Sequence, residues 1–180
     1  MFRFCPACGS RNIRFEHNKI FRCPDCGFRY YHNTAAATGL VISTGEEIVL
    51  LVRAKEPAKG KLDLPGGFVD PGEGAFDGLR RECREELGWD PGPHCTLFAS
   101  FPNVYPYKNI VYNTCDLFFT ITAPGLTPGD FTLQEQEIGG IRFVKPQDIR
   151  LDDMAFDSGR RAIQAFLAFP PKKRGRQREE

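Results

Sequence analysis

The sequence predicts an α/β sandwich, a mixed β-sheet with flanking helices, preceded by a small four-cysteine ribbon. Three observations carry the prediction. Residues 5–9 and 23–27 read CPACG and CPDCG, two knuckles in a segment with too few aliphatic side chains for a core of its own. From Thr34 onward β-type runs dominate, and they do not alternate regularly with helices, which favours a sandwich over a repeating β-α-β fold. Two stretches, Gly74 to Leu87 and Ser158 to Phe169, have helical periodicity.

The elements follow in order. Residues 1–33 form the ribbon, 34–169 the main domain and 170–180 a basic tail. TAAATGLVIST and EEIVLLVRAK are two β-type runs joined by a turn at Thr44-Gly45. KGKLDLPGGFVDPGEG is a loop punctuated by Gly and Pro, with a short strand expected at Gly67–Val69. In the next segment Ala75, Leu79, Cys83 and Leu87 form one apolar helical stripe, and Gly88 supplies the stop. CTLFAS and NIVYNTCDLFFTITA read as longer strands, the second buried. GLTPGDFTLQEQ is a polar loop, IGGIRFVK a strand, KPQDIRL a turn and SGRRAIQAFLAF an amphipathic helix. PPKKRGRQREE opens on two prolines and runs into charge, so it reads as a disordered tail.

Composition narrows the class. A hydrophobic fraction of 41% supports a core, and no apolar run is long enough to span a membrane. MFRFCPACGS lacks an apolar signal segment, so a cytoplasmic location is expected. The 24 basic and 23 acidic side chains nearly balance, but the two ends are basic and the middle is acidic. An odd total of seven cysteines argues against a disulfide framework and for a reducing compartment. Cys83, Cys95 and Cys115 read as small core hydrophobes.

Cys5, Cys8, Cys23 and Cys26 have the spacing of a structural zinc site. Each knuckle turns two thiolates toward one ion, and metal binding supplies the folding energy that so small a unit lacks. Four cysteines complete a tetrahedral site without His17 or His32, and leave no open position for chemistry.

The segment GGFVDPGEGAFDGLRRECREELGW crowds carboxylates together. Glu82, Glu85 and Glu86 fall at i, i+3 and i+4, so a helix places them on one side, at the edge of the apolar stripe. Arg80, Arg81 and Arg84 would balance them on an ordinary salt-bridged surface. The alternative is a site for Mg²⁺ or Mn²⁺, hard ions that take oxygen ligands and share them with substrate phosphates. Such an ion relieves the repulsion and lets an acidic domain accept a polyphosphate.

This segment resembles the Nudix box, the signature of the Nudix hydrolases, G-x5-E-x7-R-E-U-x-E-E-x-G-U with U a bulky aliphatic. Gly67, Glu73, Arg81, Glu82, Glu85, Glu86 and Gly88 match in register, while Cys83 and Trp89 occupy the U positions. The resemblance implies a Nudix-type α/β/α sandwich whose Glu82, Glu85 and Glu86 bind magnesium. Arg81 would orient these glutamates, and Glu73 would assist from the loop. It implies cleavage of a nucleoside diphosphate joined to another group, with water attacking phosphorus and a glutamate taking the proton.

A four-cysteine ribbon followed at once by the box is similar to the NADH pyrophosphatase group. That group carries S-Q-P-W-P-F-P-x-S after the box, and here the stretch is SFPNVYPYK. Ser100, Pro102 and Pro106 match, Tyr105 keeps an aromatic, and Phe101, Asn103 and Lys108 differ. The resemblance implies a small-molecule nucleotide substrate, a dinucleotide such as NADH or NAD or an ADP-ribose-like compound, contacted by Ser100 and Tyr105. Glu137, six residues before Phe143, stands at the family offset of a further metal ligand or proton acceptor, with Glu135 the neighbouring alternative. Two other readings stand beside this one. The basic ribbon could make the chain a nucleic-acid-binding module with a nucleotide-sensing domain. Alternatively, ribbon and tail could hold RNA whose nucleotide cap the box removes. A second copy of the chain, in a homodimer, is a further candidate partner.

Overall fold

The computed structural model describes residues 2–108 and 110–168. The basic tail expected at 170–180 lies outside the described residues.

In the ribbon, β1 (Arg14–Glu16), β2 (Ile20–Arg22) and β3 (Arg29–Tyr31) form an antiparallel three-stranded sheet. Each knuckle closes with a backbone hydrogen bond, Gly9 N–H to Cys5 O and Gly27 N–H to Cys23 O. Asp25 ties the second knuckle to the first by accepting from the Ser10 hydroxyl and the Asn12 amide. Among the described residues of the ribbon Phe21 is the one large side chain that is buried, with Phe2 and Phe15 against it. So little apolar burial cannot offset the entropy of ordering the segment.

The main sheet contains β4 (Ala35–Ser43), β5 (Ile48–Arg53), β6 (Leu62–Asp63), β7 (Thr96–Tyr107), β8 (Ile110–Thr122) and β9 (Ile138–Val144). Its order is β6-β5-β4-β8-β7, with β9 also paired to β5. β4 and β8 run parallel from Ala35↔Thr114 to Ser43↔Thr122, and the other pairs are antiparallel. Helix α1 (Ala75–Leu87) packs Leu79, Cys83 and Leu87 on Leu40, Ile42, Val49 and Leu51. Helix α2 (Asp157–Ala168) packs Ala162, Ile163 and Phe166 with Val41, Leu50 and Phe118. Successive residues of β4 and β5 thus feed opposite cores, which is why those strands read as unbroken apolar runs. The expected mixed sheet with flanking helices is what the chain forms. No helix among the described residues is long and apolar enough to cross a membrane.

Three local expectations need correction. The strand at Gly67–Val69 is only a bridge between Phe68 and Ala37. Its backbone is nonetheless tied to β4, through Thr38 N–H to Gly67 O and Leu40 N–H to Pro65 O. β7 does not stop after CTLFAS but continues through two prolines to Tyr107. It can do so because it is an edge strand, where a missing N–H leaves no ladder bond unmade. Cys115 is exposed rather than core: Thr114 and Asp116 point inward on β8, and the period of two turns Cys115 outward. Cys83 is buried as expected, and Cys95 is half-buried.

Candidate active site and metal centre

The four knuckle sulfurs lie within 4.8 Å of one another. Cys5 Sγ is 3.6 Å from Cys26 Sγ, and Cys8 Sγ is 3.7 Å from Cys23 Sγ. A tetrahedral zinc with Zn–S bonds of ~2.3 Å separates its sulfurs by ~3.8 Å, so the donor set fits that ion in type and spacing.

The glutamates occupy a different setting. Arg81, on the inner side of α1, is the hub. Its Nε donates to Glu73 Oε1 at 2.9 Å, and its Nη1 to Glu82 Oε1 at 2.8 Å and Glu85 Oε2 at 3.1 Å. Its Nη2 donates to Glu73 Oε2 and to the Phe68 carbonyl. One guanidinium therefore joins the loop to the helix, and its hydrogen bonds to Glu73 hold that carboxyl below the usual range. Glu86 is not part of this network. Its Oε2 accepts from Gly66 N–H at 2.9 Å. Arg81 thus orients Glu73, Glu82 and Glu85, while backbone positions Glu86.

Two glycines make this possible. At Gly66, with φ 142°, an added Cβ would stand 2.1 Å from the Thr38 carbonyl oxygen. At Gly67 a Cβ would stand 2.5 Å from the Glu82 carboxylate. The loop can pass between β4 and α1 only as bare backbone.

Burial pushes the Glu86 carboxyl up to about 8, against the pull of the Gly66 N–H, and the charges of Asp63, Glu82 and Glu137 push the same way. Burial raises Glu82 as well, opposed by Arg81. Glu85 is the most open of the three, its side chain 55% exposed. Glu82, Glu85, Glu86 and Glu137 all line one cleft of ≈ 350 Å³. Glu137 is ion-paired with Lys55. Among the described residues only the four cysteines gather to the 4.8 Å spacing, so the glutamates share a cleft without converging on a point. Arg81, inserted between Glu82 and Glu85, is the physical reason.

Tyr105 lines the same cleft, edge-on to Phe68 at 5.6 Å and beside Phe156 at 5.3 Å. Ser100 does not. Along β7 the residues Phe101, Asn103 and Tyr105 face the cleft and the α2 side, while Ser100, Pro102, Val104 and Pro106 alternate outward. Ser100 lines a separate groove along β7 and the start of α2, with Pro102, Phe156 and Arg161, that contains none of the glutamates.

A NUDIX domain family model matches residues 32–166. The chain belongs to the NUDIX domain family. It is 36% identical over 169 residues to the NAD-capped RNA hydrolase NudC of Deinococcus radiodurans, covering 92% of this chain and 57% of that one. It is 35% identical over 86 residues to the protein of the same name from Pseudomonas aeruginosa, covering 48% of this chain and 31% of that one. The chain therefore spans about a third to just over half of these relatives' lengths. Among solved structures, a NUDIX hydrolase from Nitrosomonas europaea superposes with a TM-score of 0.65 at 22% identity, covering 94% of this chain and 92% of that one. That likeness supports the fold.

The NUDIX cleft also holds polar residues that the sequence reading passed over. Asp63, Asp116, Asn103 and Ser158 line its inner end. Asp116 carried a signal, a carboxylate inside the apolar run NTCDLFFTI. For Arg81 a graded outcome is expected. Arg81→Ala should lower turnover less than loss of a cleft glutamate does, because the carboxylates stay in place but lose their brace. The check is the ratio of rate constants for the two variants at saturating magnesium and substrate; an Arg81→Ala loss as large as that of Glu86→Gln would show that the guanidinium does more than orient.

Proposed function

We propose that this NUDIX domain hydrolyses, with Mg²⁺ or Mn²⁺, the pyrophosphate bond of a nucleoside diphosphate joined to a second group. The second group makes it a dinucleotide such as NAD or NADH, or an ADP-ribose-like compound. The observation that carries the reading is Glu86, a half-buried carboxylate held by one backbone N–H, in a cleft it shares with Glu82, Glu85 and Glu137. All-oxygen donors suit a hard divalent ion, and such an ion would reverse the push that burial exerts on Glu86. When bound, the metal would spread the charge developing on a phosphoryl oxygen and activate water. Glu82, Glu85, Glu86 and Glu137 would hold it, one of these glutamates would take the proton of the attacking water, and Arg81 and Glu73 would keep the loop and helix in register. Tyr105 would stack on a ring of the substrate. Zinc at Cys5, Cys8, Cys23 and Cys26 would be structural.

The test is a panel of NADH, NAD, ADP-ribose, FAD, nucleotide sugars and nucleoside triphosphates with magnesium, read by the released phosphate products. Preferred turnover of a dinucleotide or ADP-ribose is expected. No magnesium-dependent turnover of any member would instead support a nucleotide-sensing binding module.

A second reading has its own observation. The ribbon exposes Phe2, Phe4, Tyr30 and Tyr31 beside Arg3, Arg11 and Arg29, the aromatic and basic mix that suits single-stranded nucleic acid. The relatives named as NAD-capped RNA hydrolases point the same way. In this reading the ribbon holds RNA while the cleft cuts its dinucleotide cap. A higher rate on capped RNA than on the free dinucleotide would favour it.

A further inference from the structure

The inner end of the cleft contains a carboxylate that the fold only half uses. Asp116 sits on β8 opposite Ala37, on a face it shares with Thr114, Phe118 and Thr120, and is 8% exposed. Its Oδ2 accepts from the Ser158 hydroxyl at 2.6 Å, which ties β8 to the start of α2. Its Oδ1 is buried and has no hydrogen-bond partner among the described residues. The Thr114 hydroxyl, two positions back on the same face, is in the same condition. A tie to α2 explains one oxygen and leaves the other, buried and unpartnered, unexplained.

The surroundings indicate what the second oxygen is for. Phe68, Tyr105 and Phe156 wall the space, and the Arg53 guanidinium lies over the Phe156 ring at 5.0 Å. Asp63, held by Arg53 at 2.8 Å, adds a second carboxylate. Aromatic walls suit a flat ring. Arg53 is engaged by Asp63 and stacked on Phe156, with its buried Nη2 left without a partner among the described residues, whereas four glutamates at the α1 end would gather a cation that receives the anionic part of a ligand. The free Oδ1 of Asp116 is a hydrogen-bond acceptor, so the ring edge that faces it is expected to bring a donor.

We infer that this inner chamber is a recognition site for a heteroaromatic ring bearing a primary NH₂, with Asp116 the accepting and specificity-determining group. The inference rests on the pyrophosphohydrolase reading and adds the orientation of the substrate: ring inward, phosphates toward α1. The NH₂ has two sources in a dinucleotide, the amine of a purine and the carboxamide of a pyridine.

The experiment uses the full chain with magnesium and three probes: nicotinamide adenine dinucleotide, its hypoxanthine analogue and its nicotinic acid analogue. Replacing NH₂ by a carbonyl oxygen or a carboxylate sets acceptor against acceptor, so kcat/KM for one analogue should fall by ~100-fold or more. Which analogue falls identifies the ring that enters. Asp116→Asn, which can also donate, should shrink that ratio to within about threefold. Ser158→Ala releases Oδ2 but keeps the charge, so it should lower Tm while leaving the ratio largely intact. Equal kcat/KM for all three probes in the parent overturns the inference, as does an unchanged ratio in folded Asp116→Asn. If Asp116→Asn does not fold, the parent's ratio decides alone. Calorimetric Kd values for the same probes need no turnover: NH₂-selective binding without hydrolysis would keep this site and refute the proposed activity, whereas hydrolysis without selectivity would do the reverse.

Discussion

Glu86→Gln is expected to lower magnesium-dependent hydrolysis of a dinucleotide roughly a hundredfold while leaving the protein folded, since removing one preorganised electrostatic group from a reaction centre typically costs ~3 kcal/mol or more of barrier. The substitution preserves shape, and the Gln oxygen can still accept from Gly66 N–H. What it removes is the negative charge that Glu86 would present to a bound metal, in a cleft that also holds Glu82, Glu85, Glu137 and Asp63. The sign of the stability effect is opposite to that of the activity effect. In magnesium-free protein the folded carboxyl titrates near 8, above its usual 4.5, so the folded state binds a proton that the unfolded chain has already released. The resulting stability is present below the unfolded value and is lost as pH rises through the folded one. Glu86→Gln escapes that loss. Its melting temperature without magnesium should match the parent's at low pH and exceed it increasingly as pH rises toward 8. Near-normal turnover in a folded variant would mean that the glutamates are an ordinary charged helix face.

Cys23→Ser should have the second large effect, confined to the ribbon. Structural zinc contributes ~10–16 kcal/mol of apparent binding energy in peptides of this kind, and a serine hydroxyl does not replace a thiolate at neutral pH. With Phe21 the one large buried side chain among its described residues, the ribbon shows little apolar burial to set against that energy. Metal analysis of the parent should find about one zinc per chain, and the variant close to none. Limited proteolysis should then cut within 1–33 and spare the NUDIX portion, whose magnesium response should persist. Soluble, folded parent protein without zinc would sink this prediction.

What the sequence made legible was whatever depends on neighbours in sequence. The α1 stripe, its stop at Gly88 and the two knuckles are local patterns, and each forms where the spacing put it. The glutamates reached one cleft because helical period alone decides their side. Contacts distant in sequence were hidden. The hydrogen bond from Ser158 to Asp116 spans 42 residues, and no period in either segment announces it. Ser100 stands outside the glutamate cleft for a different reason: matching a motif fixes residue identity, but the side of a strand is set by register, and alternation from Phe101 to Tyr105 turns Ser100 outward. The prolines of SFPNVYPYK concealed the length of β7, because only its place at the sheet edge allows them.

That edge has a consequence for the behaviour of the protein at high concentration. β7 is 12 residues long, and Leu97, Val104 and Tyr107 are exposed on it, a surface that would ordinarily recruit strands from other molecules. Pro102 and Pro106 stand four positions apart, on the same phase of the pleat, so an incoming strand finds two donors missing from the same row. The register shift between Leu97 and Ala99 bends the strand's opening third away from a straight template. The residues that interrupt a substrate-motif match are thus flanked by ones that guard the sheet against intermolecular pairing, and replacing the prolines to restore a regular strand would remove the chain's protection against fibre-like association.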